Sequence, residues 1–165
     1  VDDEALIREA ISENTRWKEL GYELMGTCKN GREAIERLDQ EEADLVLTDI
    51  CMPYVDGMEL TRYLYEKHKG VKVIIISGYD DFEYAKTAVK YQVMDYILKP
   101  ITAKELAQTL TRVKEKLDEE RFQKSDMKRI RGAYMSNLPI LRGRFLNSLL
   151  MGNVGAQETQ DKLKD

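Results

Sequence analysis

The 165-residue chain holds little of several residue types: two cysteines, three prolines, one histidine and one tryptophan. Cys28 and Cys51 stand far apart and form no C-x-x-C pair, which points away from a disulfide framework and toward a reduced, cytoplasmic protein. No apolar run approaches the length of a membrane span, and no signal-peptide pattern is visible. The net charge of −4 gives the chain no excess of positive charge with which to coat nucleic acid. The single histidine, His68, falls near a helix end and is expected to be solvated, neither a phosphohistidine nor a metal ligand. There is no internal repeat. What remains is ordinary for a globular protein, with 42% hydrophobic and 34% charged residues, in a chain long enough for one domain with a real core and an appendage.

The apolar pattern alternates between two periods. Leu6, Ile7, Ala10 and Ile11 recur at helical spacing, so residues 4–18 are expected to be helical. A short strand is expected over 22–28, then a turn at Asn30-Gly31 and a helix over 32–40. Leu45-Val46-Leu47 leads into Thr48-Asp49, and Pro53 and Gly57 bracket a loop. A helix follows over 58–68. The β-branched run 71–76 predicts a strand buried on both faces. Asp80 or Asp81 can cap a helix carrying Phe82, Ala85 and Val89. Another strand is expected over 94–98, and Thr102 can cap a final helix starting near Ala103. This alternation is the signature of an α/β fold with a doubly wound parallel sheet. It opens on a helix, so its first strand is largely missing, with Val1 as that strand's last residue.

Beyond Leu117 the character changes. Seven Lys or Arg and one acid, Asp126, fall within 121–144. A 3/4 spacing from Leu106 passes through Leu110, Val113, Leu117, Met127, Tyr134, Leu138, Leu141 and Phe145, with polar entries at Glu120, Lys124 and Arg131. The final helix is therefore expected to continue as a coiled-coil-like helical arm, with Pro139 breaking or restarting it. The basic stretch is read as a solvated helix face. The organisation expected is a domain over 1–117, a helical linker over 118–151 and a polar tail over 152–165.

In a doubly wound sheet, functional groups gather at the carboxyl ends of the strands. Asp2-Asp3 ends the missing strand, Asp49 ends the strand of Leu45, Ser77 follows the 71–76 run, and Lys99 follows 94–98. Each has a bland reading alone: an acid pair as helix capping, a serine as a turn residue, a Lys-Pro as a solvated strand end. Together, in order on successive strands, they make a chemically sensible set. Clustered carboxylates repel and invite a cation. Mg²⁺ seeks such oxygens, Lys99 adds a point charge able to reach a phosphoryl oxygen, and Ser77 adds a hydroxyl. With the transferring charge neutralised, a carboxylate can act as nucleophile toward phosphorus.

The segments VDDE, LTDICMPYVDGMEL, VIIISGYDDFEYA and DYILKP, in that order, resemble the receiver domain of two-component response regulators over residues 1–117. The wording of SGYDDFEYA and DYILKP is most similar to regulators with an AraC-type DNA-binding domain. The resemblance implies a flavodoxin-like sheet of strand order 2-1-3-4-5. It implies Asp49 as phosphoacceptor, with Mg²⁺ held by Asp3, Asp49 and the backbone carbonyl of Cys51, and by Asp2 through water. Ser77 and Lys99 would clamp the phosphoryl group, and Tyr96 matches the aromatic switch position that moves with Ser77. It also implies a sensor histidine kinase as donor, a homodimer, and contact with DNA only through an output domain that this chain does not contain. A cis Lys99-Pro100 bond is a further family feature.

Three departures stand out. The missing strand is central in the family, and several apolar residues are expected ahead of Val1 to fill it. Gln92 stands where many receivers have glycine, so either it adopts a left-handed conformation or the helix ends differently. Cys51 and Tyr79 stand two residues beyond Asp49 and Ser77, positions that influence phosphoryl hydrolysis in the family. Neither side chain orients water well, so a long-lived phosphoryl state is expected. Two other functions compete. A stand-alone receiver or relay without DNA would need no coiled coil. A Mg²⁺-dependent phosphatase of the haloacid dehalogenase kind would need an acid where Cys51 stands.

Overall fold

The β-branched run forms the middle strand of a parallel sheet. A computed structural model describes residues 1–78 and 82–150 of the chain. In it β1 (Leu45–Asp49), β2 (Lys72–Ser77) and β3 (Asp95–Leu98) lie in the order β1-β2-β3. Leu45 pairs with Lys72 and Asp49 with Ile76, while Ile74 pairs with Asp95 and Ser77 with Leu98. Val73 through Ser77 are all buried, as a strand covered on both faces requires.

Among the described residues five helices accompany the strands: α1 (Ala5–Asn14), α2 (Gly31–Leu38), α3 (Gly57–Lys67), α4 (Phe82–Lys90) and α5 (Ala103–Leu150). Their starts follow from local chemistry. The Asn30 side chain accepts from the Glu33 N–H, Asp56 accepts from the Met58 and Glu59 N–H groups, and Thr102 accepts from the Glu105 N–H. Each satisfies a donor that the first helical turn leaves without a partner. Helix α4 closes in a Schellman pattern, with the Val93 N–H on Ala88 O and the Gln92 N–H on Val89 O. Gln92 takes the left-handed position of that motif at φ 55°, the first of the two alternatives its sequence position left open.

One hydrophobic cluster joins Val46, Val73 and Ile75 of the sheet to Ala34, Leu60, Leu64 and Ala88 of α2, α3 and α4. Leu106, Leu110 and Val113 of α5 are also buried. Helix α1 is different. None of its residues is buried and Leu6 is 81% exposed. It ends at Asn14, short of the expected residue 18, because turns occupy residues 17–21 and Gly21 sits at φ +77°.

Two expectations need correction. Residues 22–28 are not a strand. A strand is defined by a paired neighbour, and the recorded backbone bond to this segment's neighbour is one, from the Asp2 N–H to Cys28 O at 3.2 Å. On its other side this short stretch meets β1: the Asp49 N–H donates to Val1 O at 2.9 Å, and the Val1 nitrogen donates to Leu47 O at 2.6 Å. Val1-Asp2 thus lies beside β1 in the central slot, between that strand and Cys28. The second correction concerns Pro139. Helix α5 runs through it without a break; a long helix can absorb one lost N–H donor as a local distortion.

The chain divides into two units, Val1–Lys116 and Leu117–Asp165. Within the second, Phe122, Met127 and Ile130 are exposed. The later apolar positions of the 3/4 stripe, from Tyr134 on, fall outside the described side chains, and the tail from 152 falls outside the described residues, as do Tyr79, Asp80 and Asp81. Among the described residues no helix is long and apolar enough to cross a membrane.

Candidate functional site

The carboxyl ends of the strands bring the expected residues together. Asp49 is the last residue of β1 and is 5% exposed; Asp2, beside it in the central slot, is 3% exposed. Lys99 follows β3 and places its ammonium between them, with Nζ 2.9 Å from Asp49 Oδ1 and 3.1 Å from Asp2 Oδ2. A third carboxylate, Glu4, approaches the same nitrogen at 3.4 Å from the exposed side. Ser77 ends β2 and is fully buried. Its carbonyl accepts from the Lys99 N–H at 2.7 Å, so the backbone ties the two residues together. The Lys99-Pro100 bond is cis.

Asp2 is pinned at every polar group. Its N–H reaches Cys28 O, its carbonyl accepts from Arg8 Nη1 at 2.8 Å, Oδ1 accepts from the Glu4 N–H at 2.9 Å, and Oδ2 takes Lys99. Asp3 is exposed, and only its carbonyl is engaged among the described residues, accepting from the same Arg8 nitrogen at 3.1 Å. The sequence placed Asp2 at a distance, acting through water; its direct ion pair with Lys99 was not foreseen.

The charges explain one another. Burial pushes the Asp49 carboxyl above its usual range; the hydrogen bond and charge of Lys99 oppose this, and Asp2 adds to it. Burial works against the Lys99 ammonium but is outweighed by hydrogen bonds and charge from Asp49 and Asp2, which hold it well above the usual lysine range. One cation is thus shared by two buried carboxylates. The backbone amide of Cys51 also favours the ionised form of the Asp49 carboxylate. The Cys51 side chain is an exposed free thiol, which burial and the Asp49 charge keep from ionising easily.

Tyr96 is half-buried and packs against the hydrophobic cluster. Its register partner is Ile75, and Leu98 is paired with Ser77, so Tyr96 and Ser77 belong to the same face of the sheet. His68 departs from expectation: it is not simply solvated but pairs with Asp39 at 3.1 Å, and Asp39 also accepts from the Tyr63 hydroxyl at 2.8 Å.

Sequence reasoning missed two supports. A Cβ on Gly57 would lie 1.9 Å from Asp49 O, so only glycine lets α3 start this close to the backbone of β1; the Asp56-Gly57 pair was its signal. Arg8 carried no signal beyond being a cation one turn downstream of an acid pair.

Among the described residues no three His, Cys, Asp or Glu side chains form a ready-made metal cage. The chemistry of the donors still suits a hard divalent cation. Asp2, Asp3, Glu4 and Asp49 gather at one rim with Lys99 and Arg8, which leaves an excess of negative charge and oxygen donors.

Comparison with known proteins bears on the family and the fold. Residues 1–111 match the response regulator receiver domain. The chain belongs to that family. It is 37% identical over 112 residues to the uncharacterized transcriptional regulatory protein YesN of Bacillus subtilis, a match covering 68% of this chain and 30% of that protein. It is 38% identical over 122 residues to the transcriptional regulatory protein HptR of Staphylococcus aureus, covering 74% of this chain and 48% of HptR. The chain thus spans less than half the length of these relatives. Among solved structures, the receiver domain of the response regulator AraT from Geobacillus stearothermophilus is 41% identical, with a TM-score of 0.68 over 73% of this chain and 93% of that one.

Proposed function

We propose that this receiver domain accepts a phosphoryl group on Asp49 from a sensor histidine kinase and changes its partner contacts in response. The observation that carries the proposal is the meeting of the Asp49 and Asp2 carboxylates on the Lys99 ammonium, within 3.1 Å, at the carboxyl rim of a parallel sheet. An Asp49 oxygen forms a bond to phosphorus as the donor's bond to phosphorus breaks and its electron pair leaves with the donor. Lys99 shifts from the carboxylates onto the phosphoryl oxygens, and the Ser77 hydroxyl donates to the same group. Asp3, Asp49 and the Cys51 carbonyl would hold Mg²⁺, with Asp2 acting through water; the open carboxylate of Asp3 and the pinned one of Asp2 support that division. The cation supplies charge neutralisation for the transferring group.

The shared face of Ser77 and Tyr96 supports a coupled movement on phosphorylation. The change would pass along α5, whose segment 118–151 acts as a helical linker in a homodimer, to an output domain. The names of YesN and HptR favour transcription regulation, with DNA met through that output domain; a reduced, cytoplasmic setting suits two cysteines that form no pair. The exposed Cys51 thiol beside Asp49 offers no group suited to orient an attacking water, which supports a slowly released phosphoryl group.

Exposure to acetyl phosphate with Mg²⁺ tests the proposal. The parent protein is expected to become labelled and to shift its dimerisation, while Asp49→Asn does neither. Equal labelling of the variant would refute the role of Asp49, and loss of phosphate within seconds would refute the long-lived state.

A further inference from the structure

We propose that Arg8 is a positioning residue for the acid pair that precedes it. This rests on the reading that the rim binds Mg²⁺. One nitrogen of its guanidinium, Nη1, donates to the carbonyls of both Asp2 and Asp3, at 2.8 and 3.1 Å. Helix α1 starts without a side-chain cap, since Glu4 in the N-cap position offers none. The direction in which the two acids leave the central slot is therefore set by the Arg8 bridge, together with the turn that Asp2 Oδ1 makes with the Glu4 N–H. Asp2 is also held by Cys28, Glu4 and Lys99, but helix α1 buries no residue, so its packing does little to orient Asp3. The bridge does that work: it fixes the backbone at Asp2, which faces Lys99, and at Asp3, whose carboxylate remains open.

Charge and position make opposite predictions here, and that makes the inference testable. Arg8 is a cation beside a cation site. By charge alone, removing it strengthens Mg²⁺ binding. By position, removing it loosens the acid pair and weakens binding, as loss of an outer-shell partner does.

The experiment measures Mg²⁺ affinity by titration calorimetry on the unphosphorylated chain, for the parent, Arg8→Met and Arg8→Lys, with thermal midpoints recorded alongside. Arg8→Met is expected to bind Mg²⁺ roughly tenfold more weakly, with a midpoint close to the parent's. Arg8→Lys, which keeps a donor on a shorter side chain, is expected to recover part of the affinity. Equal or tighter binding by Arg8→Met overturns the inference while leaving the metal reading intact. Failure of the parent to bind Mg²⁺ overturns the metal reading, and this inference with it. If Arg8→Met does not fold, Arg8→Gln takes its place: a roughly tenfold loss of affinity supports the inference, and equal or tighter binding contradicts it.

Discussion

The core of the sheet and its carboxyl rim are buried to the same degree but by opposite chemistry. Leu60, Leu64, Ile74 and Ile75 are fully buried, and each gains by leaving water. Asp2, Asp49 and Ser77 are buried almost as deeply, and the two acids share one ammonium. The core favours the fold, whereas the rim holds ionised groups that the fold alone would not select. A site with that imbalance is what stability gives up in exchange for reactivity.

The comparison can be broken most forcefully at Lys99. Lys99→Met leaves two buried carboxylates without their cation, and a loss of about 3–5 kcal/mol in urea unfolding is expected. A loss under about 1 kcal/mol would mean that water or other groups already neutralise the rim. In the core, Leu64→Ala is expected to cost about 2–5 kcal/mol through lost burial and a residual cavity. A smaller cost there would place Leu64 in a looser setting than its burial indicates.

Asp49→Asn should act in the other direction and raise the thermal midpoint by roughly a few degrees at neutral pH. The sign follows from the raised pKa of Asp49, whose ordinary value is 3.8. The folded chain binds this proton more tightly than the unfolded chain. The ionised group therefore opposes folding above its raised value, and the opposition disappears once pH falls below 3.8. The gap in midpoint between Asp49→Asn and the parent should widen as pH rises from 4 toward neutrality. A constant gap would assign the effect to something other than ionisation. Lys99 carries the opposite dependence. Its contribution is complete below its ordinary value of 10.5 and is lost as pH rises through its raised one. The smallest effect belongs to Gln92. Its left-handed backbone favours glycine, so Gln92→Gly should gain about 1 kcal/mol in the same unfolding assay; no gain would mean that the Gln92 side chain compensates for its backbone.

The same contrast explains what the sequence made legible. The run 71–76 declared a strand buried on both faces, because continuous β-branched residues have few other uses. Thr102 declared a helix start, since its side chain acts on its own neighbours, and Asn30-Gly31 declared a turn just ahead of one. Asp49, Ser77 and Lys99 were readable as one set because strand ends in an alternating fold share a rim. What depended on distant partners was less visible. Residues 22–28 have a strand's composition but lack a paired edge. Pro139 signalled a break, yet the helix continues. The bond from Asp2 to Lys99 spans 97 positions, and the Arg8 bridge reports a backbone direction that no side-chain pattern encodes.

The central claim is that Asp49 carries the phosphoryl group, and its most direct test locates the modification itself. The chain is treated with acetyl phosphate and Mg²⁺, the acyl phosphate is reduced with borohydride, and the peptides are mapped by mass spectrometry. Homoserine at position 49, absent without acetyl phosphate, is the result expected. Modification at another residue, or none at position 49 in a folded and Mg²⁺-loaded sample, would contradict the assignment.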